Sequence, residues 1–479
     1  MSDTSNETLN DTSQARLHLS VERLGKDIES IAGFSESPPE VGYSRPTFSA
    51  PWRQAYDYII EQATEIGAEH VVDAAGNLHI RHPLVGWERK VWLSGSHLDS
   101  VPSGGRFDGV SGVVIPLEVM RRRPELPLEI VVFAEEEGTT FNLGMLGSRL
   151  WAGTLTPDTM TRIRNRHGKS AAEAGATHGL DLARLTAAAA GQAGTAAAGQ
   201  ANTVAGAAGQ AGTAEGPADA ASLADAASPA AAASAADWRS RLQPDRYYGM
   251  VEVHPEQGLG LWDSGTPLAA VNRINGRRQL SITVTGQANH AGSTGMTGRR
   301  DALAGAAEMV LAFEQLGQEL DRRLPYTVLT VGKLEATPGA VNVIPGKVVF
   351  SLDFRAQEEE LLLEGERRIN EIARTISERR GLEVEIELTE QLKPSPLSED
   401  ICSRLRQAAV RQGFELELVP SGALHDAAVL AHVMPTAMIF VASRDGISHN
   451  PAEYSRIEDI ALAAQLLEDM IADAETNAT

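Results

Sequence analysis

Short apolar runs alternate with amphipathic segments along most of the 479-residue chain. Residues 91–97 and 247–254 are largely apolar runs that each end in a histidine, and the apolar run at 128–134 ends in three glutamates. Runs of this kind are typical of strands buried on both faces, which occur in parallel sheets covered by helices. The pattern therefore predicts an α/β domain whose strands end in polar side chains.

The amphipathic segments predict the helices that cover this sheet, and further short runs predict the remaining strands. The predicted helices are residues 15–32, 51–66, 112–122, 300–320, 358–379, 399–412 and 456–473. The other predicted strands are the hairpin 71–72 and 78–80, followed by 280–285, 326–334, 347–354, 382–388 and 436–441. Two strand–helix units with antiparallel-type strands after residue 271 predict a smaller, inserted α+β domain of the ferredoxin-like type.

This alternation also divides the chain. We predict a disordered polar tip at 1–13, a catalytic domain with a mixed, mostly parallel sheet from 14–270 and 393–479, and a lid domain inserted at 271–392. Residues 187–236 are rich in alanine and glycine, and Gly-Gln-Ala-Gly-Thr occurs twice within them. Irregularly placed glycines without an amphipathic period indicate a flexible, low-complexity insertion on a surface loop.

Composition excludes several classes of protein. The formal charge of −22 argues against a general nucleic-acid-binding surface, because phosphate contacts need clustered cations. No apolar run reaches about 18 residues, so we expect no membrane span. The polar start lacks the pattern of a signal peptide, and a single cysteine, Cys402, excludes an internal disulfide or a cysteine-rich zinc site. We therefore expect a cytoplasmic protein.

Five candidate metal ligands lie at predicted strand ends or in the loops that follow them: His97, Asp108, Glu137, His254 and His449. Neutral imidazole and carboxylate ligands suit Zn²⁺, Mn²⁺, Co²⁺ or Ni²⁺. Two such ions about 3.5–4 Å apart need a bridging group, and a carboxylate offers two oxygens for this role. Asp108, in a glycine-rich turn, is the candidate bridge. We predict two divalent metal ions per subunit.

Two further carboxylates are candidates for supporting roles. Asp99, two residues after His97, is predicted to orient the imidazole ring and raise its basicity. Hydrolysis needs a base that takes a proton from water and passes it to the leaving amine, and Glu136 beside Glu137 is the candidate. A single His-x-Asp pair is more often a surface coincidence, and an isolated histidine is more often structural. Taken together, however, the candidate ligands at four predicted strand ends, in the expected order along the chain, favour a metal site over these separate explanations.

Nine sequence blocks resemble the hydantoinase/carbamoylase family of amidases, within the aminoacylase-like superfamily of dinuclear metallohydrolases. In chain order they are Gly-Ser-His-Leu-Asp-Ser-Val at 95–101, Gly-Arg-Phe-Asp-Gly at 105–109, Glu-Glu-Glu-Gly at 135–138, His-Pro-Glu-Gln-Gly at 254–258, Ala-Asn-His-Ala-Gly at 288–292, Val-Asn-Val-Ile-Pro-Gly at 341–346, Asp-Phe-Arg at 353–355, His-Asp-Ala at 425–427 and Ser-His-Asn-Pro at 448–451. The resemblance covers nearly the whole chain apart from the tip and the insertion. It implies a homodimer formed through the lid domain.

The resemblance also implies how the metal ions are shared. One ion is expected on His97, Asp108 and His254, and the other on Asp108, Glu137 and His449. Glu136 is expected to act as general base and then as general acid. A histidine at position 254 marks the carbamoylase branch, because many superfamily members carry a carboxylate there.

Further matching residues are implied to bind the substrate. His290 is expected to polarise the scissile carbonyl, often by reaching across a dimer. Asn342 and Arg355 are expected to hold the substrate carboxylate, the arginine through a bidentate fork. Gln257 and His425 are expected to line the same pocket.

Several positions depart from the family pattern. They are Pro255, Leu259, Thr139-Thr140, Ser293-Thr294-Gly295-Met296 and Leu424. None of these departures removes a ligand, the base or the carboxylate-binding residues. The departures near His290 and His425 bear on which substrate fits the site and do not change the implied reaction type.

The resemblance implies a hydrolase that cleaves the carbamoyl or ureido C–N bond of a small carboxylate, and an N-carbamoyl-L-amino acid is the expected substrate. Allantoate and ureidoglycolate of purine catabolism are the first alternative, because they also present a ureido group and a carboxylate. A dinuclear-metal aminoacylase or peptidase is the second alternative. A non-catalytic binding or assembly protein is the third, and the intact ligands and base argue against it.

Overall fold

A computed structural model of the chain describes residues 20–190 and 238–476. The predicted polar tip at 1–13 lies outside the described residues, and so do positions 191–236 of the predicted insertion. The first positions of that insertion, 187–190, continue a described helix that begins at residue 182.

The strands of the described residues are numbered here in chain order. They are β1 (Glu69–Val72), β2 (Leu78–Arg81), β3 (Val91–His97), β4 (Leu128–Phe133), β5 (Tyr247–Pro255), β6 (Leu268–Ile274), β7 (Gly276–Thr285), β8 (Asn289–His290), β9 (Val328–Thr330), β10 (Leu334–Thr337), β11 (Val343–Ile344), β12 (Lys347–Ala356), β13 (Glu383–Leu392), β14 (Ser395–Pro396), β15 (Glu417–Ser421) and β16 (Thr436–Val441). They form one large sheet, one smaller sheet and one two-stranded pair.

The helices are numbered in the same way. They are α1 (residues 20–32), α2 (Ala50–Glu65), α3 (Val110–Arg122), α4 (Leu146–Ala152), α5 (Thr159–Arg162), α6 (Ala171–Gly175), α7 (residues 182–190), α8 (Gly260–Ser264), α9 (Ala302–Arg323), α10 (Glu359–Arg380), α11 (Glu399–Arg411), α12 (Asp426–Leu430) and α13 (Ile457–Thr476). Ser49 illustrates how the sequence sets a helix start, because its side chain accepts a hydrogen bond from the Trp52 amide at the beginning of α2.

The large sheet is mixed, with a parallel centre. Its strand order is β1-β2-β4-β3-β5-β16-β6-β14, and β15 pairs with β6. The four central strands β4, β3, β5 and β16 run parallel to one another. Antiparallel pairs flank this centre on both sides, so the polar residues that follow the central strands gather along one edge of the sheet.

Both faces of the large sheet are covered, as the continuous apolar runs predict. Ile130 and Val132 of β4 face a core that includes side chains of α1, α2, α3, α11 and α13. Val131 and Phe133 face the opposite core, which α4 and α12 help to cover. Successive side chains of a strand point to opposite faces, so a strand between two helical layers must be apolar throughout.

The smaller sheet is antiparallel and carries its own core. Its order is β10-β12-β7-β13, with β9 also beside β12, and α9 and α10 pack against one face. If β9 and β10 are counted as one interrupted strand, the chain order of these strands and helices is that of a ferredoxin-like βαββαβ unit. The short strands β8 and β11 form a separate antiparallel pair.

Three details differ from the predicted elements. The strand predicted at 326–334 is two strands, β9 and β10, because the three residues between them lie opposite only two residues of β12, so the register shifts from Thr330 opposite Asp353 to Leu334 opposite Phe350. The change from the large to the small sheet falls between β6 and β7, a few residues after the predicted boundary at 271. Five strands (β6, β8, β11, β14 and β15) and the short helices α4 to α8 and α12 were not predicted.

The described residues therefore form the predicted α/β fold with an added α+β unit. The division of the chain into domains remains a prediction. Among the helices of the described ranges, none combines the length and the apolar character needed to cross a membrane.

Candidate metal centre and catalytic site

The candidate metal ligands converge because each follows one of the four central parallel strands. His97 ends β3, Glu137 lies just after β4, His254 lies in β5 and His449 lies in the loop after β16. Asp108 lies in the loop between β3 and α3. The carboxyl ends of adjacent parallel strands meet at one edge of the sheet, so Asp108 and His449, more than 340 positions apart, reach one another there.

Asp108 lies at the centre of the cluster. Its Oδ1 is 3.0 Å from Nε2 of His254 and 3.8 Å from Nε2 of His97, whereas its Oδ2 is 3.2 Å from Nε2 of His449. The His449 nitrogen is also 3.5 Å from Oε2 of Glu137. The structure therefore brings together two groups of three ligand atoms that share Asp108, each group spanning no more than 4.8 Å.

The state of His97 shows that these residues fit a cation. Its Nδ1 donates a hydrogen bond to the Asp99 backbone carbonyl at 2.9 Å, while its buried Nε2 has no hydrogen-bond partner. Burial lowers the pKa of His97 to about 4, so the imidazole is neutral. The unprotonated Nε2 faces carboxylates and receives no hydrogen bond. A divalent metal ion between the nitrogen and the carboxylates would bind to both.

His254 shows the complementary behaviour. Its Nδ1 donates to the backbone carbonyl of Pro255 at 3.0 Å, which directs Nε2 at Asp108. Burial lowers the pKa of this histidine, but the hydrogen bond and charge of Asp108 outweigh burial and raise the pKa to about 9. A metal ion would displace the proton held between the two side chains, so cation binding here must compete with protons.

Asp99 supports the cluster in a way that the sequence did not reveal. Its backbone carbonyl orients the His97 ring, and its carboxylate oxygen lies 3.7 Å from the same ring nitrogen. The carboxylate instead accepts hydrogen bonds from the amides of Glu136 and Glu137, at 3.2 and 3.1 Å. Burial raises the pKa of Asp99 to about 6. Asp99 thus links the end of β3 to the turn that carries the candidate base.

The three consecutive glutamates point in different directions. Glu135 has a φ of 55° and accepts hydrogen bonds from the amides of Thr140 and Phe141, so it turns away from the ligands. Glu136 faces the cluster, with Oε2 3.7 Å from Nε2 of His97, but belongs to neither ligand group. Burial, followed by the nearby carboxylates, raises the pKa of Glu136 well above its usual range. Glu136 therefore faces the candidate ligands as an additional buried carboxyl group.

Glycine is required next to Asp108. Gly109 has a φ of 67°, and a Cβ atom on it would lie 2.5 Å from the His97 ring. The loop can carry Asp108 beneath the imidazole only because this position has no side chain.

A cavity of about 330 Å³ opens beside the ligands. Gln257 and Arg355, both predicted to bind substrate, line it together with Asp108, Glu136 and His449. Gln257 donates from Nε2 to Oδ2 of Asp108 at 3.0 Å and to the Ser448 hydroxyl at 3.1 Å. Its amide is therefore fixed against the shared ligand.

Arg355 lies on β12 and lines the same cavity. Its Nε and Nη2 donate to the two carboxylate oxygens of Asp353, at 2.8 and 3.1 Å, and its Nη1 donates to the Gly422 carbonyl at 3.2 Å. Asp353 thus holds the guanidinium fork in place, and a carboxylate ligand would have to share it.

His425 lies behind the cavity wall. Its Nε2 is 3.0 Å from the Ser421 hydroxyl, and its ring centre is 4.4 Å from that of His254. Burial, reinforced by the charge of His254, lowers the pKa of His425 well below its usual range. In this structure His425 supports the position of His254 and does not line the cavity.

His290 and Asn342 lie away from the cavity. His290 is in β8, which pairs with β11, and the Ala291 amide donates to the Asn342 carbonyl at 2.9 Å. Nδ1 of His290 accepts hydrogen bonds from the amides of Gly292 and Ser293, at 3.0 and 3.1 Å. Both predicted side chains are exposed in this single chain.

Glu453 contacts the loop of Asp108 and was not singled out from the sequence. It is buried, and Oε1 accepts hydrogen bonds from the amides of Phe107 and Asp108, at 2.8 and 3.0 Å. Its Oε2 accepts from the Ser448 hydroxyl at 2.8 Å. Burial, followed by the charge of Asp108, raises the pKa of Glu453 to about 7. The only signal in the sequence was its position two residues after the last matched block.

Replacing Glu453 by alanine should destabilise the loop that holds the shared ligand. The change leaves two buried amides without an acceptor, and we expect a loss of about 3 kcal/mol in the free energy of unfolding. Urea denaturation of the metal-free protein measures this loss. The control Glu458→Ala, on the exposed side of α13, should change stability by less than about 1 kcal/mol. Equal stabilities of the two variants would contradict the role of Glu453.

The geometry of the site points to a class of protein. A mixed α/β sheet that places two overlapping ligand groups at the ends of its parallel strands is the architecture of a metal-dependent hydrolase. The chain belongs to the Peptidase family M20/M25/M40, whose model matches residues 93–473.

Similar proteins lie in the predicted branch of that family. The chain is 36% identical to an N-carbamoyl-L-amino acid amidohydrolase from Geobacillus stearothermophilus, over 90% of this chain and 92% of the relative. It is 28% identical to an allantoate amidohydrolase from Escherichia coli (strain K12), over 90% of this chain and 93% of the relative. A crystal structure of a hydantoinase/carbamoylase family amidase from Burkholderia multivorans superimposes with a TM-score of 0.74 at 29% identity, covering 95% and 97% of the two chains. The predicted family membership and fold class are confirmed.

Proposed function

We propose that this protein is a metal-dependent amidohydrolase that cleaves the carbamoyl C–N bond of a small carboxylate, with an N-carbamoyl-L-amino acid as substrate. The observation that carries the proposal is the pair of ligand groups sharing Asp108, with Glu136 beside them and Arg355 across the same cavity. These are the three parts that the reaction needs: an electrophilic centre, a base and a carboxylate-binding group.

Two divalent cations, Zn²⁺, Mn²⁺, Co²⁺ or Ni²⁺, would occupy the two groups. His97, Asp108 and His254 would hold one, and Asp108, Glu137 and His449 the other. When bound, the cations would polarise the scissile carbonyl and lower the pKa of the attacking water.

Glu136 moves the proton. One of its carboxylate oxygens accepts a proton from the attacking water, which adds to the carbamoyl carbon. The bond from that carbon to the amino-acid nitrogen then breaks, and Glu136 returns the proton to this nitrogen. The released carbamate decomposes to carbon dioxide and ammonia. Asp99 keeps the base in place by accepting the amide hydrogen bonds of Glu136 and Glu137.

The substrate carboxylate is held on the opposite wall. Arg355 presents a planar fork that fits a carboxylate, and Gln257 fixes the bridging aspartate next to the reacting carbonyl. His290 and Asn342 are exposed, and a second copy of the chain joined through the predicted lid domain would bring them to the cavity. The proposed enzyme is a homodimer that binds this small molecule and not a nucleic acid. Its proposed location is the cytoplasm.

A second candidate is allantoate, which a named relative supports. The allantoate amidohydrolase of Escherichia coli covers nearly the same residues as the first relative and is only moderately less similar. Allantoate also presents a ureido group and a carboxylate, so the same ligands, base and arginine would serve.

Ammonia release from a panel of substrates tests the function. The panel contains N-carbamoyl-L-amino acids, N-carbamoyl-β-alanine, allantoate, ureidoglycolate and, with separate detection of the freed amine, N-acetyl amino acids. The enzyme is loaded in turn with Mn²⁺, Zn²⁺ and Co²⁺, and a chelated sample is the control. Chelator-sensitive ammonia release from N-carbamoyl amino acids supports the proposal. Cleavage of acetyl substrates alone would move the protein to the aminoacylases.

Arg355→Ala should act on substrate binding. We expect KM for the carbamoyl amino acid to rise about 100-fold, because a charge-assisted bidentate hydrogen bond contributes about 3 kcal/mol. kcat should fall less, since Arg355 lies across the cavity from the base. Steady-state kinetics with N-carbamoyl-L-alanine measures both constants. An unchanged KM would refute this role.

A further inference from the structure

One wall of the cavity carries charged side chains that the proposed reaction does not use. Arg277 on β7 and Glu390 on β13 line the cavity, and Arg149 on α4 stands behind them. Glu390 pairs with both arginines, through an Arg277 ion pair and through an Arg149 Nη1–Oε1 distance of 3.2 Å. We call these three residues the arginine wall.

The arginine wall is well shielded from solvent. The side chains of Arg149, Arg277 and Glu390 are only 16%, 17% and 15% exposed. Burial lowers the pKa of both arginines, and burial is the largest cause in each case. Their lost hydration is therefore not fully replaced by the groups around them.

A charge count shows what is missing. Glu390 is one carboxylate shared by two guanidinium groups, whereas Asp353 is matched by the fork of Arg355. The nearest oxygen of Asp353 is 3.9 Å from Nη1 of Arg277, so it offers only a weak second contact. Arg149, Arg277 and Arg355 carry three positive charges, whereas Glu390 and Asp353 carry two negative charges. One positive charge is therefore not balanced within this set.

The other acidic groups of the cavity belong to the metal side. Glu136 also attracts Arg277, but it lies beside the ligands, where bound cations would balance it together with Asp108 and Glu137. Buried cations without a full complement of anions are typical of sites that bind an anionic ligand.

We propose that the arginine wall is a second anion-binding subsite, and that the preferred substrate carries a carboxylate on its side chain. The substrate class is then the N-carbamoyl derivative of an acidic amino acid, whose main-chain carboxylate binds Arg355 and whose side-chain carboxylate binds Arg277. The inference rests on the proposed function and specifies its substrate. An apolar side chain would instead cover the charged wall without replacing its hydration.

The test compares two substrates of nearly equal shape, N-carbamoyl-L-aspartate and N-carbamoyl-L-leucine. We expect kcat/KM to favour the aspartate derivative at least 10-fold. R277M should reduce this preference at least 10-fold, through KM, and R277K should restore part of it. R367M removes an exposed arginine on α10 and should leave the preference unchanged.

A second variant acts in the opposite direction. E390Q removes the carboxylate that competes for Arg277, so it should strengthen binding of succinate, a dicarboxylate without a scissile bond. Titration calorimetry of succinate on the wild type, R277M and E390Q measures this directly, and we expect the weakest binding in R277M.

The outcomes separate the two proposals. A preference for the leucine derivative, or an aspartate preference that survives R277M, overturns the subsite. Absence of ammonia release from every carbamoyl and ureido substrate contradicts the proposed function instead. In that event succinate binding still decides the subsite, because R277M must weaken it if the arginine wall binds anions.

Discussion

Replacement of Glu136 by glutamine is expected to lower kcat about 100-fold or more while the metal ions remain bound. Glutamine has nearly the same shape but cannot accept a proton from water, and general base catalysis contributes about 10²–10⁴-fold. Glu136 belongs to neither ligand group, so its charge is not needed to hold a cation. The measurements are kcat for ammonia release and metal content of the same preparation.

The control for this variant is Glu314→Gln, a change of the same kind at an exposed position of α9. It should leave both kcat and metal content unchanged. Near-normal turnover of Glu136→Gln would contradict the assignment of Glu136 as the base. Loss of the metal would show that Glu136 is a ligand instead.

Asp108→Asn is expected to have the largest effect on metal binding. Asp108 is the one residue common to both ligand groups, so the change removes a charged ligand from each. Loss of a partner that merely orients a ligand lowers metal affinity about 10–100-fold, and loss of the shared ligand should exceed about 100-fold. Metal titration followed by calorimetry measures the affinity, and activity should disappear with it.

His449→Ala is the matched comparison. His449 belongs to only one group and is half exposed, so this variant should weaken one binding event and spare the other. Full metal content in Asp108→Asn, or equal losses in the two variants, would contradict the assignment of Asp108 as the shared ligand.

The cluster of buried carboxyl groups explains why this site favours the binding of cations. Burial raises the pKa of Glu137, Glu136 and Asp99 above their usual values, which shows that ionisation of these groups is disfavoured without a counter-charge. Divalent cations supply that charge and favour the ionised ligands. Metal binding is therefore favoured both by the candidate ligands and by their buried, acidic surroundings.

Much of the fold followed from the sequence because local patterns carry local structure. The apolar run ending at His97 predicted β3 to its last residue, and the run before the glutamates predicted β4. The helices near 300–320 and 358–379 were predicted to within a few residues by their periodic apolar positions. A strand interrupted by an extra residue in its pairing, as between β9 and β10, leaves no such pattern and was predicted as one strand.

The candidate ligands and base could be predicted from the sequence, because strand ends in a parallel sheet must share one edge. The contacts that these residues make depend on the packing of the folded chain. The Asp99 carboxylate binds the amides of the glutamate turn, and Glu453 binds the loop of Asp108, across 346 positions in the case of Phe107. The arginine wall joins three elements that are remote in the chain. Such contacts depend on how layers pack, and packing of distant segments is not encoded in the spacing of neighbouring residues.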